Sequence, residues 1–363
     1  MLNNPEILFV EVFVGMAKTV AWWHEYALGF DFKGKRETKG QYGMQITYWM
    51  QRGDANILIT SALDPAAHDV VSFIDMHGNS IKRFAVEVQD IESTLTMLKE
   101  KDVILLSQGI EWEEQSDEQC GIVRCKLFDN NEISFIQRVK CKGPLPGFHG
   151  AKKPQENSQK PNKGNIIRYD HLASVVRINE ADYWSKYLTR LFSLKHIQTI
   201  GEEFFAGLST GMKMHVLSSE NNGFNKVVVE PLAGKDNKSQ VDIFLEHHFG
   251  NGIQHIAFEV DDLVMVVHDF REKGVQFTNV PPKYYEELER VNPDLPIQEM
   301  RRANILCEKE GDKLLLQVFT EPIGDRPTLF YEFIQRINGF NGFGANNIKE
   351  LFKSLELHQN GRN

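Results

Sequence analysis

The chain has 363 residues, room for two or three domains of ordinary size, and its 41% hydrophobic and 25% charged composition is that of a globular protein with ample core. A net charge of −9 with scattered basic residues excludes a polyanion-binding face, so no nucleic-acid partner is expected. No apolar run reaches the ~20 residues of a membrane span. The N-terminal MLNNPEILFVEVFV lacks the cationic lead of a secretory signal, and Cys120, Cys125, Cys141 and Cys307 suit reduced thiols. A cytoplasmic protein without membrane contact is expected.

Alternating apolar residues from Ile7 predict a strand, followed by a helix with aromatics at helical spacing that ends near Leu28-Gly29-Phe30. Residues 7–60 and 80–138 read as two strand–helix–strand units, the second with a helix over about 90–101 carrying Ile91, Leu95 and Leu98 on one face. Cys120 and Cys125 have no second Cys/His pair nearby, so no zinc site is expected there. The Pro-, Gly- and Lys-rich KGPLPGFHGAKKPQENSQKPNKGN reads as a linker, with a boundary near residue 150 and the linker running to about 165. Residues 166–230 and 252–336 repeat the plan of the first half, with a helix over about 262–273. His247 and His248 read as the exposed end of a helix. In Asn347–Leu355, Ile348, Leu351, Phe352 and Leu355 form an apolar stripe, with Asn346 or Asn347 as N-cap. These elements predict an α+β chain of duplicated βαβββ modules forming two half-open barrels, residues 1–150 and 166–363, closed by a terminal helix.

The duplication gives an internal control. SIKRFAVEV (80–88) answers GIQHIAFEV (252–260), and ISFIQR (133–138) answers YEFIQR (331–336). Aligned so, His171 faces Glu11, His255 faces Arg83, and Glu332 faces Ser134. Two imidazoles and one carboxylate on equivalent strands suit a non-haem Fe(II) facial triad, which the first half cannot form. Strand alternation puts Gln317 with Phe319, and Phe330 with Glu332, on shared faces. It turns Gln254 away from His255's face.

The segments RYDHLA, GIQHIAF, LLLQVFT, TLFYEFIQR and GFGANNIKELF, with LPGF at 145–148, resemble the 4-hydroxyphenylpyruvate dioxygenase and 4-hydroxymandelate synthase family over essentially the whole chain. The resemblance implies the vicinal-oxygen-chelate (glyoxalase-like) fold with the metal in the C-terminal barrel; the metal-free N-terminal half, lacking ligands, is expected to give fold support and subunit contacts. It implies Fe(II) held by His171, His255 and Glu332. It further implies a 2-oxo acid substrate chelating the metal, O2 as co-substrate, a place in tyrosine catabolism, and a homo-oligomer, dimer or tetramer. Matching pocket positions are Gln240, Gln254, Gln317, Phe319, Phe330, Phe343 and Asn347.

Three departures bear on the product. Val227-Val228-Val229 stands where homogentisate-forming members have Pro-x-Asn, Ile348 replaces a terminal-helix Phe, and Met214 replaces a pocket Ser. Val229 removes a polar tether and Ile348 an aromatic face for the substrate ring. Benzylic hydroxylation to 4-hydroxymandelate is therefore favoured over ring hydroxylation to homogentisate. The rival classes are a ring-cleaving dioxygenase and a metal-free binding protein of the same fold. The terminal helix is a candidate lid.

Overall fold

A computed structural model describes residues 5–40, 43–150, 164–233 and 237–360, with side chains in the last helix followed to Phe352. The first half forms one sheet from β1 (Ile7–Phe13), β2 (Asp31–Lys39), β3 (Met44–Arg52), β4 (Ala55–Ala62), β5 (Ser80–Glu87), β6 (Glu111–Gln115), β7 (Glu118–Leu127) and β8 (Asn131–Arg138). Its order is β2-β3-β4-β1-β5-β8-β7-β6. The second half repeats this with β9 (Ile166–Val175), β10 (Lys195–Ile200), β11 (Met212–Ser218), β12 (Asn225–Pro231), β13 (Gly252–Val260), β14 (Leu306–Glu310), β15 (Lys313–Phe319) and β16 (Phe330–Ile337). The order is β10-β11-β12-β9-β13-β16-β15-β14. Each module runs strand, helix, then three strands, and its last strand returns parallel to its first, as β4 does beside β1 and β16 beside β13. This is the mixed α+β, twice-duplicated, curled-sheet architecture expected from the repeats.

The crossover helices are α1 (Ala17–Tyr26), α3 (Ile91–Glu100), α4 (Ala181–Phe192) and α6 (Leu263–Glu272). The acidic residues ahead of α3 and α6 are caps: Asp90 accepts from the backbone N–H of Glu92 and Ser93, and Asp262 from that of Met265. Between modules lie α2 (His68–His77) and α5 (Gln240–His248), and α7 (Pro282–Val291) and α8 (Ile297–Ala303) lengthen the last crossover. The terminal helix α9 (Ala345–Asn360) begins before Asn346 and Asn347, so neither is its N-cap.

The two sheets are packed on one another. One apolar cluster runs from Val10 and Phe84 to Phe258 and Phe333, joined by ring contacts such as Phe84–Phe224 (5.9 Å) and Phe135–Phe192 (5.7 Å). Residues 145–149, expected in the linker, belong to the first sheet's cover. Leu145 is buried, Phe148 lies against Trp49, and Lys35 and His149 exchange backbone hydrogen bonds. Residues 151–163 lie outside the described residues.

The ladders correct the repeat alignment in one place. Along β5, Ala85 pairs with Phe9 and Arg83 with Glu11; along β13, Ala257 pairs with His171 and His255 with Ala173. His171 is thus the counterpart of Phe9, and Glu11 that of Ala173. Val14 N–H donating to Thr60 and Val176 N–H to Val229 fixes the same register from the other edge. A slip of two residues leaves every side chain on its face, so alternation cannot detect it. The remaining equivalences, Arg83 with His255 and Ser134 with Glu332, agree with the ladders.

Candidate metal centre and cavity

His171, His255 and Glu332 come from β9, β13 and β16, which are adjacent in the second sheet. Ala257 pairs with both His171 and Glu332, and His255 lies two residues along the same face. Glu332 Oε2 is 3.3 Å from His171 Nε2 and 3.2 Å from His255 Nε2. The three side chains each offer a ligand atom, all within 4.8 Å of one another.

Two β-bulges prepare the imidazoles. The β9–β13 register skips Asp170 beside His171 and Gln254 beside His255. A bulge breaks strict alternation, so the residue before each histidine can turn to its side. Asp170 Oδ1 thereby lies 2.8 Å from His171 Nδ1, and Gln254 Oε1 lies 3.3 Å from His255 Nδ1. With Nδ1–H donated to these acceptors, each Nε2 presents a lone pair toward Glu332. Gln254 therefore faces the cavity, contrary to the expectation from alternation. Asp170 is itself held by Arg336, whose Nε and Nη2 reach its oxygens at 2.6 and 2.9 Å.

Electrostatics shows what charge the cluster suits. Burial would raise the Glu332 carboxyl, but the two imidazoles outweigh it and hold it down to about 2. Burial would lower His171, but the Glu332 and Asp170 carboxylates raise it to about 9. Burial lowers His255. Two lone pairs and an anion converging in a buried place require a cation, and in this arrangement a proton on His171 supplies it. A divalent ion with two nitrogen and one oxygen ligand fits the same place.

Beyond His171, His255 and Glu332 opens a cavity of about 270 Å³. Gln240, Gln254, Gln317, Phe319, Phe330, Phe343, Ile348, Val229 and Met214 all line it. Phe330 stacks on His255 at 4.7 Å, and Phe343 meets His171 edge-on at 5.5 Å. The far wall is aliphatic, with Met212, Val227, Val241 and Leu351. None of the described lining residues is Lys or Arg.

Asn347 is not in the lining; it stands behind Gln317. Gln317 Nε2 donates to Glu332 Oε1 at 2.8 Å, Asn347 Nδ2 donates to Gln317 Oε1 at 2.7 Å, and Tyr284 Oη is 3.2 Å from Asn347 Oδ1. This chain of hydrogen bonds ties the Glu332 carboxylate to the start of α9. Gly344, at φ 73°, permits it, because a Cβ there would collide with the Gln317 amide.

Sequence reasoning missed Asp170, Arg336 and Tyr284. The signal for the first was present as Asp-His in RYDHLA, and for the second as the Arg closing each FIQR. It also misplaced His248, which is buried and stacked on His77 at 4.4 Å, whereas His247 is exposed.

The first barrel fills the corresponding space with charge. Arg83 Nε is 2.5 Å from Glu11 Oε2, Arg83 Nη1 is 3.7 Å from Glu132, and Arg36 pairs with Glu113 at 2.8 Å. Glu11, Glu132 and Arg124 occupy the ladder positions of Ala173, Phe330 and Phe319.

No protein-family model matches the chain. A 4-hydroxyphenylpyruvate dioxygenase of Yarrowia lipolytica is 30% identical, covering 96% of this chain and 91% of that protein. One from Arabidopsis thaliana is 27% identical over 96% of this chain and 87% of its own length. A triple-substituted 4-hydroxymandelate synthase from Streptomyces coelicolor has the same fold, with a TM-score of 0.81 at 24% identity over 98% of this chain and 99% of that one. The chain belongs to the 4-hydroxyphenylpyruvate dioxygenase family, within the vicinal-oxygen-chelate superfamily.

Proposed function

We propose that this chain is a non-haem Fe(II) dioxygenase that converts 4-hydroxyphenylpyruvate and O2 to 4-hydroxymandelate and CO2. One oxygen atom enters the new carboxylate and the other the benzylic hydroxyl. His171, His255 and Glu332 hold the metal. Bound Fe(II) would supply open coordination positions for the keto acid and O2 and relay electrons to O2, which decarboxylation of the keto acid and hydroxylation of the benzylic carbon provide.

The carrying observation is the cavity's chemistry: three convergent ligands, aromatic walls, and no described Lys or Arg. The carboxylate of a 2-oxo acid finds no cation there other than a metal. Asp170 and Gln254 fix the imidazole tautomers, and Gln317 orients Glu332. Phe319 and Phe330 confine the aryl ring, while Leu351 and Phe352 of α9 close the cavity against water. Gln240 is a polar contact at the mouth of α5.

Benzylic attack is favoured by Val229, Ile348 and Met214, which all face the cavity. None offers a hydrogen bond to a phenol or a ring for stacking, so these three positions do not hold the substrate ring over the metal. Since reacting atoms must approach within ~3–3.5 Å, a modest rotation selects the carbon attacked. Homogentisate formation is the second reading, favoured by the name of the 30% identical relative.

The test is to load the chelator-treated protein with Fe(II), add 4-hydroxyphenylpyruvate in air, and separate the products. Hydroxymandelate supports the reading. Homogentisate alone overturns the regiochemistry, and absence of CO2 release overturns the dioxygenase assignment.

A further inference from the structure

The geometry points to a second divalent-metal site on the outer face of the second sheet, made by His196 Nε2, His215 Nδ1 and Thr199 Oγ1. His196 and Thr199 belong to the edge strand β10, and His215 to β11. Thr199 and His215 are direct cross-strand partners. His196, three residues earlier, would ordinarily face the other way. The register shift between His196 and Gln198 turns it back to the same side.

The three atoms form a nearly equilateral triangle: His196 Nε2 to His215 Nδ1 3.1 Å, Thr199 Oγ1 to His196 Nε2 2.9 Å, and Thr199 Oγ1 to His215 Nδ1 3.1 Å. Divided by √2, these edges are those of one octahedral face with arms of about 2.1–2.2 Å, slightly longer than the imidazole bonds of four-coordinate zinc. His215 is buried, and its far nitrogen, Nε2, lies 2.8 Å from Asp182 Oδ1 on α4. The contact is not aligned as a hydrogen bond, but a carboxylate this close electrostatically favours the proton on Nε2 and leaves Nδ1 as the lone-pair donor.

Lys213, two residues along the same face of β11, is engaged by Asp182 Oδ2 at 2.7 Å and Glu230 Oε1 at 3.8 Å. Two carboxylates against one ammonium leave the surroundings net negative. His196 and Thr199 are exposed, so an ion enters directly and water completes its shell. Two imidazoles and a hydroxyl suit Zn2+, Ni2+ or Cu2+ rather than Mg2+ or Ca2+. An ion there fastens β10 to β11, whose opposite face carries Met212 and Met214 into the cavity.

The proposal does not depend on the His171–His255–Glu332 centre, and titration separates the two. Chelator-treated full-length protein is titrated with Zn2+ by calorimetry. The parent is expected to bind two equivalents, His255→Ala one, His196→Ala one, and the double variant none. Asp182→Asn weakens the second equivalent by about 10–100-fold, and Thr199→Val also weakens it. The site is refuted by a single equivalent in the parent that His255→Ala removes and His196→Ala leaves. It is equally refuted by a second equivalent whose affinity is unchanged in both His196→Ala and Thr199→Val. Two equivalents persisting in His255→Ala would instead displace the cavity assignment and leave this site standing.

Discussion

Raising the pH from about 6.5 to 8.5 should tighten metal binding at the cavity by close to tenfold per pH unit, because the metal must displace a proton from His171. That imidazole is raised to about 9 by the Glu332 and Asp170 carboxylates, against the lowering effect of burial. At pH 7 about one molecule in a hundred then has a free Nε2 lone pair, which costs about 2.7 kcal/mol of apparent affinity. Since ligating imidazoles must be neutral, binding releases that proton. The stability linkage runs the opposite way. A folded value above the ordinary 6.5 stabilises the metal-free fold fully below 6.5, and this contribution is lost as pH rises through 9. The metal-free protein should therefore melt lower at pH 9.5 than at pH 6. Calorimetry with Co(II) at pH 7, in two buffers of different ionisation heat, should report about one proton released per ion. A pH-independent affinity over this window, with no buffer-dependent heat, would show that His171 is already neutral and refute the electrostatic account.

Asp170→Asn should cost about 3–5 kcal/mol in urea unfolding of the metal-free protein, because it leaves the largely buried Arg336 guanidinium without its counter-charge; a loss under 1 kcal/mol would contradict this. Gln317→Leu strips Glu332 Oε1 of its donor and Asn347 of its acceptor, so metal affinity should fall by about 10–100-fold, as read by titration. Val229→Asn combined with Ile348→Phe should move product from 4-hydroxymandelate toward homogentisate, with the ratio measured by chromatography; an unchanged ratio would place control of the ring elsewhere. A chain cut to residues 164–363 should be insoluble or molten, because it exposes Phe192 and Phe224, which pack on Phe84 and Phe135; a soluble, active monomer would overturn that.

Strand periodicity carried the reading far. Counting in twos puts Gln317 with Phe319, and Phe330 with Glu332, on shared faces, and all four line the cavity. Periodicity failed wherever the count was interrupted. The bulges at Asp170 and Gln254 place two residues beside imidazoles that alternation turns away, and no residue type in RYDHLA or GIQHIAF announces a bulge. The slip that matched His171 to Glu11 rather than Phe9 was invisible for the complementary reason, since it kept the count even. Packing between the halves was illegible too, because contacts such as His24 with Tyr331 join residues 307 apart and leave no local pattern.

The two barrels answer one electrostatic requirement in different ways. A carboxylate buried in a curled sheet needs a neighbouring cation, or it takes up a proton. In the first barrel Arg83 provides that cation covalently, between Glu11 and Glu132, and the charged side chains fill the interior. In the second barrel the residue at Arg83's ladder position is His255, shorter and neutral when unprotonated, and Glu11's counterpart is Ala173. Removing the long charged side chains opens the cavity and leaves Glu332 with a weaker partner, the His171 proton. A centre so arranged can exchange its proton for a metal ion, whereas the Arg83 barrel has nothing to exchange. Installing His at Arg83 alone would therefore not create a metal centre, because Phe9 and Ser134 offer neither the second imidazole nor the carboxylate.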